Sequence, residues 1–376
     1  MFLGIDTSTY FDVVDRGAVY LDETGAPMEP LSAFRANGVD YMRIRVWNHP
    51  YSPDGKPYLG GTCDLANFLR LGRLASDKGY KLLLDLHYSD FWADPAKQTV
   101  PKAWAGLGPE ELETQICAFT RNTLSAIRDG GLDLSLIQVG NEITNGLLWP
   151  VGQLTGGENG QCRENYPALA RLLKAGIAAC REVFPRAGIV LHLERSHDRA
   201  VYTEFFTKME ELEVDYDIIG ASYYPYWHGT FDQFFANMDQ CGSRFGKPRM
   251  VMEVGYGFTL EDYIRSGNGG LVFGQSNARD FLSKMPCPLT PEGQADFVER
   301  FLTLCREHGI DGVFYWEPLW IPGDGICWAS EEGQAYIGET GKPTRNEWAN
   351  QCLFDYRGRK LPAFDRFRLP AASYGI

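Results

Sequence analysis

Two glutamates close two short apolar runs, and their setting suits acid–base chemistry on a sugar. One ends Leu136-Ile137-Gln138-Val139-Gly140-Asn141-Glu142; the other ends Arg249-Met250-Val251-Met252-Glu253. A carboxylate is costly to take out of water, so one at the end of a buried strand calls for a use. Two that face each other across a pocket are what hydrolysis of a glycosidic bond requires. Glu142 follows an asparagine whose amide can bond a sugar hydroxyl, and is assigned as the acid/base. Glu253 is assigned as the nucleophile beneath the anomeric carbon. Retention then requires their carboxyl groups about 5 to 5.5 Å apart. Either glutamate alone can be read as a buried, paired structural residue; two at separate strand ends resist that reading.

Other polar and aromatic residues stand at neighbouring run ends. Arg45, in Arg43-Ile44-Arg45-Val46-Trp47, is expected on the pocket floor, holding Glu253 ionised through a bidentate pair. Arg43 is expected on the other side of its strand, in a structural role. Asp85, His87 and Tyr88 end the third run. Asp-x-His spacing permits a metal site, because alternate strand residues share a face. A catalytic zinc takes three protein ligands, and the first run offers only Gly4-Ile5-Asp6-Thr7-Ser8, so no metal is expected. A polar floor that binds sugar hydroxyls is expected instead. In Tyr223-Tyr224-Pro225-Tyr226-Trp227-His228, a tyrosine is expected to donate to Glu253. Trp316, closing the last run, is expected under the reacting sugar. Trp92, Trp227 and Trp320 lie in similar aromatic patches and are candidates for stacking.

The elements that must position these groups follow from periodicity. Eight strand-like runs are expected: Phe2–Asp6, Tyr41–Trp47, Lys81–His87, Leu134–Asn141, Gly188–Leu193, Tyr216–Tyr223, Met250–Val254 and Gly312–Trp316. Several are continuously apolar, as parallel strands covered on both faces are. Helical patterns join them. Asp64 caps one that stops at Gly79; others run from Tyr166 to Phe184 and from Pro291 to Gly309. Alternation of this kind predicts a (β/α)8 TIM barrel, α/β in class, with residues 1–376 as a single domain. The segments after the third, fourth, seventh and eighth strands are long, as functional loops are.

Composition narrows the partners. The net charge of −13 and the lack of a basic patch exclude nucleic acid and disfavour a polyanionic polymer. No run approaches the roughly 18 apolar residues of a membrane span. The nine cysteines show no Cys-x-x-Cys spacing. Cys327 and Cys352 flank one loop-rich segment and are a candidate disulfide, while Cys117, Cys180 and Cys305 are expected as buried apolar side chains.

Taken together, these stretches resemble glycoside hydrolase family 53, the arabinogalactan endo-β-1,4-galactanases, from Gly4 to Asp355. The most specific stretch is Asp85-Leu86-His87-Tyr88-Ser89-Asp90-Phe91-Trp92-Ala93-Asp94-Pro95, followed by Gln98, Pro101 and Trp104. Gln138 to Glu142 with Gly146-Leu147-Leu148-Trp149-Pro150, then Tyr223 to Gly229, then Tyr315-Trp316-Glu317-Pro318 complete it in order. The resemblance implies a barrel of the clan whose catalytic glutamates end the fourth and seventh strands. It implies retention, and cleavage within β-1,4-galactan, a neutral side chain of pectin. Glu142 and Glu253 match its acid/base and nucleophile; Asn141, Arg45, Trp316 and the tyrosines Tyr223 and Tyr224 match its −1 site.

Two departures stand out. Val254-Gly255-Tyr256-Gly257-Phe258 replaces the proline- or tryptophan-rich turn common after the nucleophile. Some bacterial members bind calcium in the loop after the seventh strand, but Thr259 to Asn268 lacks an Asp-x-Asp series. No cofactor is therefore expected, with structural calcium left as an alternative. A monomer is expected, secreted or periplasmic, its leader absent from this chain. Three competing readings remain at this level: a clan relative acting on another neutral β-1,4 polymer, a metal-dependent hydrolase using Asp85 and His87, and a barrel that binds carbohydrate without cleaving it.

Overall fold

The computed structural model describes residues 1–155, 165–264 and 270–369. Eight parallel strands close on themselves: β1 (Phe2–Asp6), β2 (Val39–Val46), β3 (Lys81–Leu86), β4 (Leu136–Val139), β5 (Gly188–Leu193), β6 (Ile218–Tyr223), β7 (Arg249–Val254) and β8 (Gly312–Trp316). Each pairs with its sequence neighbours, and β1 pairs with β8 to seal the barrel. Eight helices follow the strands: α1 (Pro30–Ala36), α2 (Leu65–Asp77), α3 (Pro109–Asp129), α4 (Tyr166–Val183), α5 (Arg199–Glu211), α6 (Phe231–Phe245), α7 (Pro291–Glu307) and α8 (Pro362–Arg366). All eight expected strands are present, and this is a (β/α)8 barrel.

Local chemistry starts the helices where the sequence marks them. The Asp64 carboxylate accepts from the Asn67 amide at the start of α2, and Thr290 accepts from Gly293 at the start of α7. Thr230 and Gln233 form a reciprocal capping box on α6. No helix among the described residues is long and apolar enough to cross a membrane.

Inside the barrel, side chains stack in layers. The lower layer is apolar: Leu83, Leu136, Val190, Ile218, Met250, Met252 and Phe314, with Phe2 and Tyr41 beneath. Two or four residues further along the same strands, the inward positions turn polar: Asp6, Arg43, Asp85, Gln138, His192 and Ser222 are all buried. Strand alternation produces this change of layer directly, since residues i and i+2 share a face. One strand breaks the rule. The β6–β7 register shifts between Ala221 and Ser222, so that Ser222 lies opposite Glu253. That bulge gives β7 one extra residue and turns Glu253 inward immediately after the inward Met252.

Arg43 and Arg45 are two apart on β2, so both face the interior. The expectation that Arg43 alternates to the outer side fails for that reason. Tyr88 and Tyr223 are also corrected. The Tyr88 hydroxyl pairs with Thr120 on α3, and the Tyr223 ring stacks on Phe301 of α7. Both face the helical shell, away from the barrel mouth.

Cys327 and Cys352 are buried free thiols, and no disulfide joins them. Cys180 and Cys305 are buried as expected, while Cys117 is half-buried. In the loop considered for calcium, Arg265 to Asn268 lie outside the described residues, and the Asp262 carboxylate is held by Arg345.

Gly4 is packed against the lower layer. A Cβ there would fall 2.3 Å from the Phe314 ring and 3.1 Å from Tyr41 Cβ. Gly4→Ala is expected to destabilise the fold by about 1 to 3 kcal/mol, since the packed ring must shift. Urea unfolding of parent and variant checks this, and an unchanged midpoint would contradict the packing described.

Candidate active site

Above the apolar layer, one guanidinium gathers the floor of a cleft. Arg43 Nη1 lies 2.6 Å from Asp6 and 3.0 Å from Glu253 Oε1; its Nη2 lies 2.8 Å from Asp85 and 2.9 Å from Asn141 Oδ1. Its Nε and Nη2 also donate to Gln138. The residue that reaches the expected nucleophile is therefore Arg43, not Arg45. Arg45 pairs with Glu317 at 2.7 Å and with Asp6 at 3.4 Å. Its guanidinium lies 4.4 Å from the Trp92 ring centre and braces the aromatic wall.

The opposite oxygen of Glu253 accepts from the Tyr224 hydroxyl at 3.1 Å. The donor expected from this tyrosine segment is thus Tyr224. Two donors from β2 and the β6 end hold the carboxylate in one orientation.

Glu142 is presented differently. It follows β4 through Gly140 and Asn141 and itself adopts φ 49, a left-handed conformation that a side chain this long adopts only when its surroundings impose it. Among the described residues, no cation pairs with it. Single ligating atoms of Glu142, Glu253 and His192 all lie within 4.8 Å of one another. That proximity fits the separation of about 5 to 5.5 Å typical of retaining pairs and is too close for the water that inversion places between them.

The two carboxyls are set apart electrostatically. Burial pushes Glu253 up to about 7, opposed by Arg43, assisted by Asp6 and Asp85, and opposed by the Tyr224 hydrogen bond. Burial pushes Glu142 well above the carboxylate range, and the charges of Glu253 and Glu194 add to it. The group with no cation beside it holds its proton more tightly, which matches an acid beside a nucleophile.

Hydrogen-bond directions reinforce this difference. Asn141 Oδ1 accepts from Arg43, which fixes it as the oxygen, and it therefore accepts from His192 Nδ1 as well, at 3.0 Å. Burial, with the nearby Arg43, His87 and His228, keeps His192 far below the ordinary histidine value and hence neutral. Its Nε2 is then an acceptor, 2.8 Å from Ser222 Oγ, which lies 2.6 Å from Glu142 Oε1. The serine has one proton. It donates to Glu142 when that group is ionised, and is free to donate to His192 when Glu142 carries the proton.

The cleft has a volume of about 570 Å³ and is lined by Arg43, Arg45, His87, Trp92, Asn141, Tyr224, Trp227, His228 and Trp316 together with the glutamate pair. Trp92 stacks on Trp328 with centroids 5.9 Å apart. Trp227, at 51% exposure, stands at the rim. Asp85 and Trp320 are buried behind the surface. Asp85 bonds Arg43, Gln138 and His87, and Trp320 backs Trp92 and Trp316. His87 Nδ1 accepts from Trp47 and from the Ala93 amide, which leaves Nε2 to donate to Asp85. These commitments make Asp85 and His87 a rigid polar floor. The sequence reading did not assign His192, Ser222, Glu194 or Trp328. Strand alternation would have found His192, which is two residues beyond the inward Val190.

Comparison with known proteins agrees with this geometry. The family model described as Glycosyl hydrolase family 53 matches residues 2–367. An endo-beta-1,4-galactanase from Bacillus subtilis (strain 168) is 32% identical, over 97% of this chain and 85% of its own. An arabinogalactan endo-beta-1,4-galactanase from Cellvibrio japonicus (strain Ueda107) is 30% identical, over 98% of this chain and 90% of its own. The solved catalytic domain of a family 53 glycoside hydrolase from Ignisphaera aggregans superposes with a TM-score of 0.87 at 37% identity, covering 98% of this chain and 95% of that one.

Arg43→Lys keeps one charge on the floor but loses the fork that reaches Asp6, Glu253, Asp85 and Asn141 together. It is expected to lower kcat at least about a hundredfold with the barrel still folded, as loss of a preorganised charged donor does. Steady-state kinetics beside circular dichroism checks this. A kcat within a few-fold of the parent would show that Glu253 does not depend on Arg43.

Proposed function

The chain belongs to glycosyl hydrolase family 53, and from that premise we propose how it acts on its substrate: it is an endo-acting, retaining galactanase that cleaves β-1,4-galactosidic bonds in galactan, the type I arabinogalactan side chains of pectin. The observation that carries the reading is the close pair of Glu142 and Glu253, one without a cation and one held by Arg43 and Tyr224. In the first step, Glu142 gives its proton to the glycosidic oxygen while a Glu253 oxygen attacks the anomeric carbon. A galactosyl ester forms and the leaving sugar departs with its hydroxyl restored. In the second step, Glu142 removes a proton from water, the water oxygen attacks the same carbon, and Glu253 leaves as carboxylate.

A cleft lined around the pair by Trp92, Trp316, Trp328, Glu194, His197 and Trp227 has room for more than the reacting sugar, which supports cleavage within a chain. The net charge of −13 favours a neutral polymer over a polyuronate. Because a polysaccharide does not cross a membrane unaided, secretion or a periplasmic site suits this substrate.

Azide separates the roles. Glu142→Ala acting on an activated aryl galactobioside is expected to yield β-galactobiosyl azide, because the ester still forms and azide replaces the water that needs a base. Glu253→Ala is expected to give no β-azide product. Proton NMR of the products decides between these outcomes, and the opposite pattern would reverse the assignment.

The pH profile gives a second check. Glu253 must be ionised, and its proton affinity is raised, so kcat/KM should fall with acid at a pH above the ordinary carboxylate value of 4.5. Glu142 must be protonated, and burial with the charge of Glu253 raises it well above the ordinary carboxylate value, so activity should fall again as pH rises through its range. With a leaving group that needs no protonation, Glu142→Ala should lose the basic limb. Its unchanged persistence would assign that limb to another group.

A further inference from the structure

Of the carboxylates that line the cleft and take no part in this mechanism, Asp94, Glu194, Glu339 and Glu347, Glu194 is the buried one. Glu194 follows β5, lines the cleft and is 5% exposed. Its Oε2 makes no close hydrogen bond among the described residues, nor does His197 Nδ1, and the Thr144 hydroxyl lies only near enough to favour the ionised carboxylate. A buried carboxylate oxygen with no donor carries a desolvation penalty that a bound ligand can remove. Arg195, the nearest cation by sequence, forms its ion pair with Asp198.

Position identifies the ligand. The floor under the reacting sugar comes from β2, β3 and β8 through Arg43, Arg45, His87 and Trp316. Glu194 and His197 come from the opposite wall, after β5, next to the strand that carries Glu142. The acid must face the oxygen of the departing sugar, so groups beside it on that wall face the same sugar.

We propose that Glu194, with His197 beside it, is the binding site for the leaving-group sugar, its free carboxylate oxygen accepting from secondary hydroxyls of the galactosyl residue on the far side of the scissile bond. This rests on the retaining galactanase reading above. Glu194 binds substrate and holds no reacting atom. It acts when the sugar departs and when a sugar returns as acceptor in place of water.

The test uses two substrates and one trapped form. Galactan fills the leaving-group position with sugar, whereas 2,4-dinitrophenyl β-galactobioside does not. For Glu194→Ala, kcat/KM on galactan is expected to fall at least about tenfold further than on the aryl substrate, the size of a lost charged hydrogen bond. For the enzyme trapped as its 2-deoxy-2-fluoro ester, galactobiose should speed reactivation in the parent, and Glu194→Ala should need at least about tenfold more galactobiose for half the effect. Glu194→Gln, which keeps one acceptor oxygen and the side-chain shape, should fall between the two. Equal losses on both substrates, with an unchanged galactobiose dependence, would overturn the proposal and leave Glu194 as a modulator of Glu142 or of the fold. A parent that cleaves the aryl substrate but not galactan would overturn the galactanase reading itself. Thermal unfolding of each variant identifies any loss caused by misfolding.

Discussion

The floor of this barrel is organised by the Arg43 guanidinium, which meets Asp6, Asp85 and Glu253 while fully buried. With Arg45 it faces four carboxyl groups, the fourth being Glu317. Burying so many charges is costly, and removing one partner from such a set leaves another uncompensated. The excess of carboxyls over guanidiniums has a chemical consequence. Burial and these neighbours together raise Glu253 and Glu317 to about 7 each. Glu253 is therefore held by strong donors without being locked into a deeply stabilised carboxylate, as the proposed nucleophile must be.

Glu142 depends on the same arginine at one remove. Arg43 orients the Asn141 amide, Asn141 fixes the His192 tautomer, and His192 Nε2 offers Ser222 an acceptor for the proton it does not give to Glu142. Glu142, at the end of that chain, meets no cation among the described residues, and its proton affinity stays high. A single cation thus separates two carboxyl groups of the same kind into two roles, holding one directly and reaching the other only through neutral hydrogen-bonding groups.

Much of this was legible in the sequence where one physical signal dominates. Largely apolar runs, several of them continuous, marked all eight strands, and Asp64 marked the start of α2, because burial and capping act locally. The glutamates at the ends of β4 and β7 were legible because a charged residue stands out against an apolar run. The inward phase was harder to read. Arg43 and Arg45 share a face, and choosing between them depends on how far each lies above the apolar layer, which β2 alone does not specify. Tyr88 and Tyr223 each directly follow an inward residue, His87 and Ser222, so alternation turns them outward onto the helical shell. The bulge at Met252 was invisible, since it exists only as a register between β7 and its neighbours β6 and β8. Trp328 arrives from a long segment after β8, and its stacking on Trp92 is a tertiary fact without a local pattern.

The central claim is that Glu253, steadied by Arg43 and Tyr224, forms a covalent ester with the sugar. Incubation with a 2-deoxy-2-fluoro galactosyl donor bearing a good leaving group, followed by proteolysis and mass spectrometry, tests it directly. The account predicts one added fluorosugar per chain, located on the peptide containing Glu253 and released slowly with retained configuration. A label on any other residue, or turnover with inversion and no label, would contradict it.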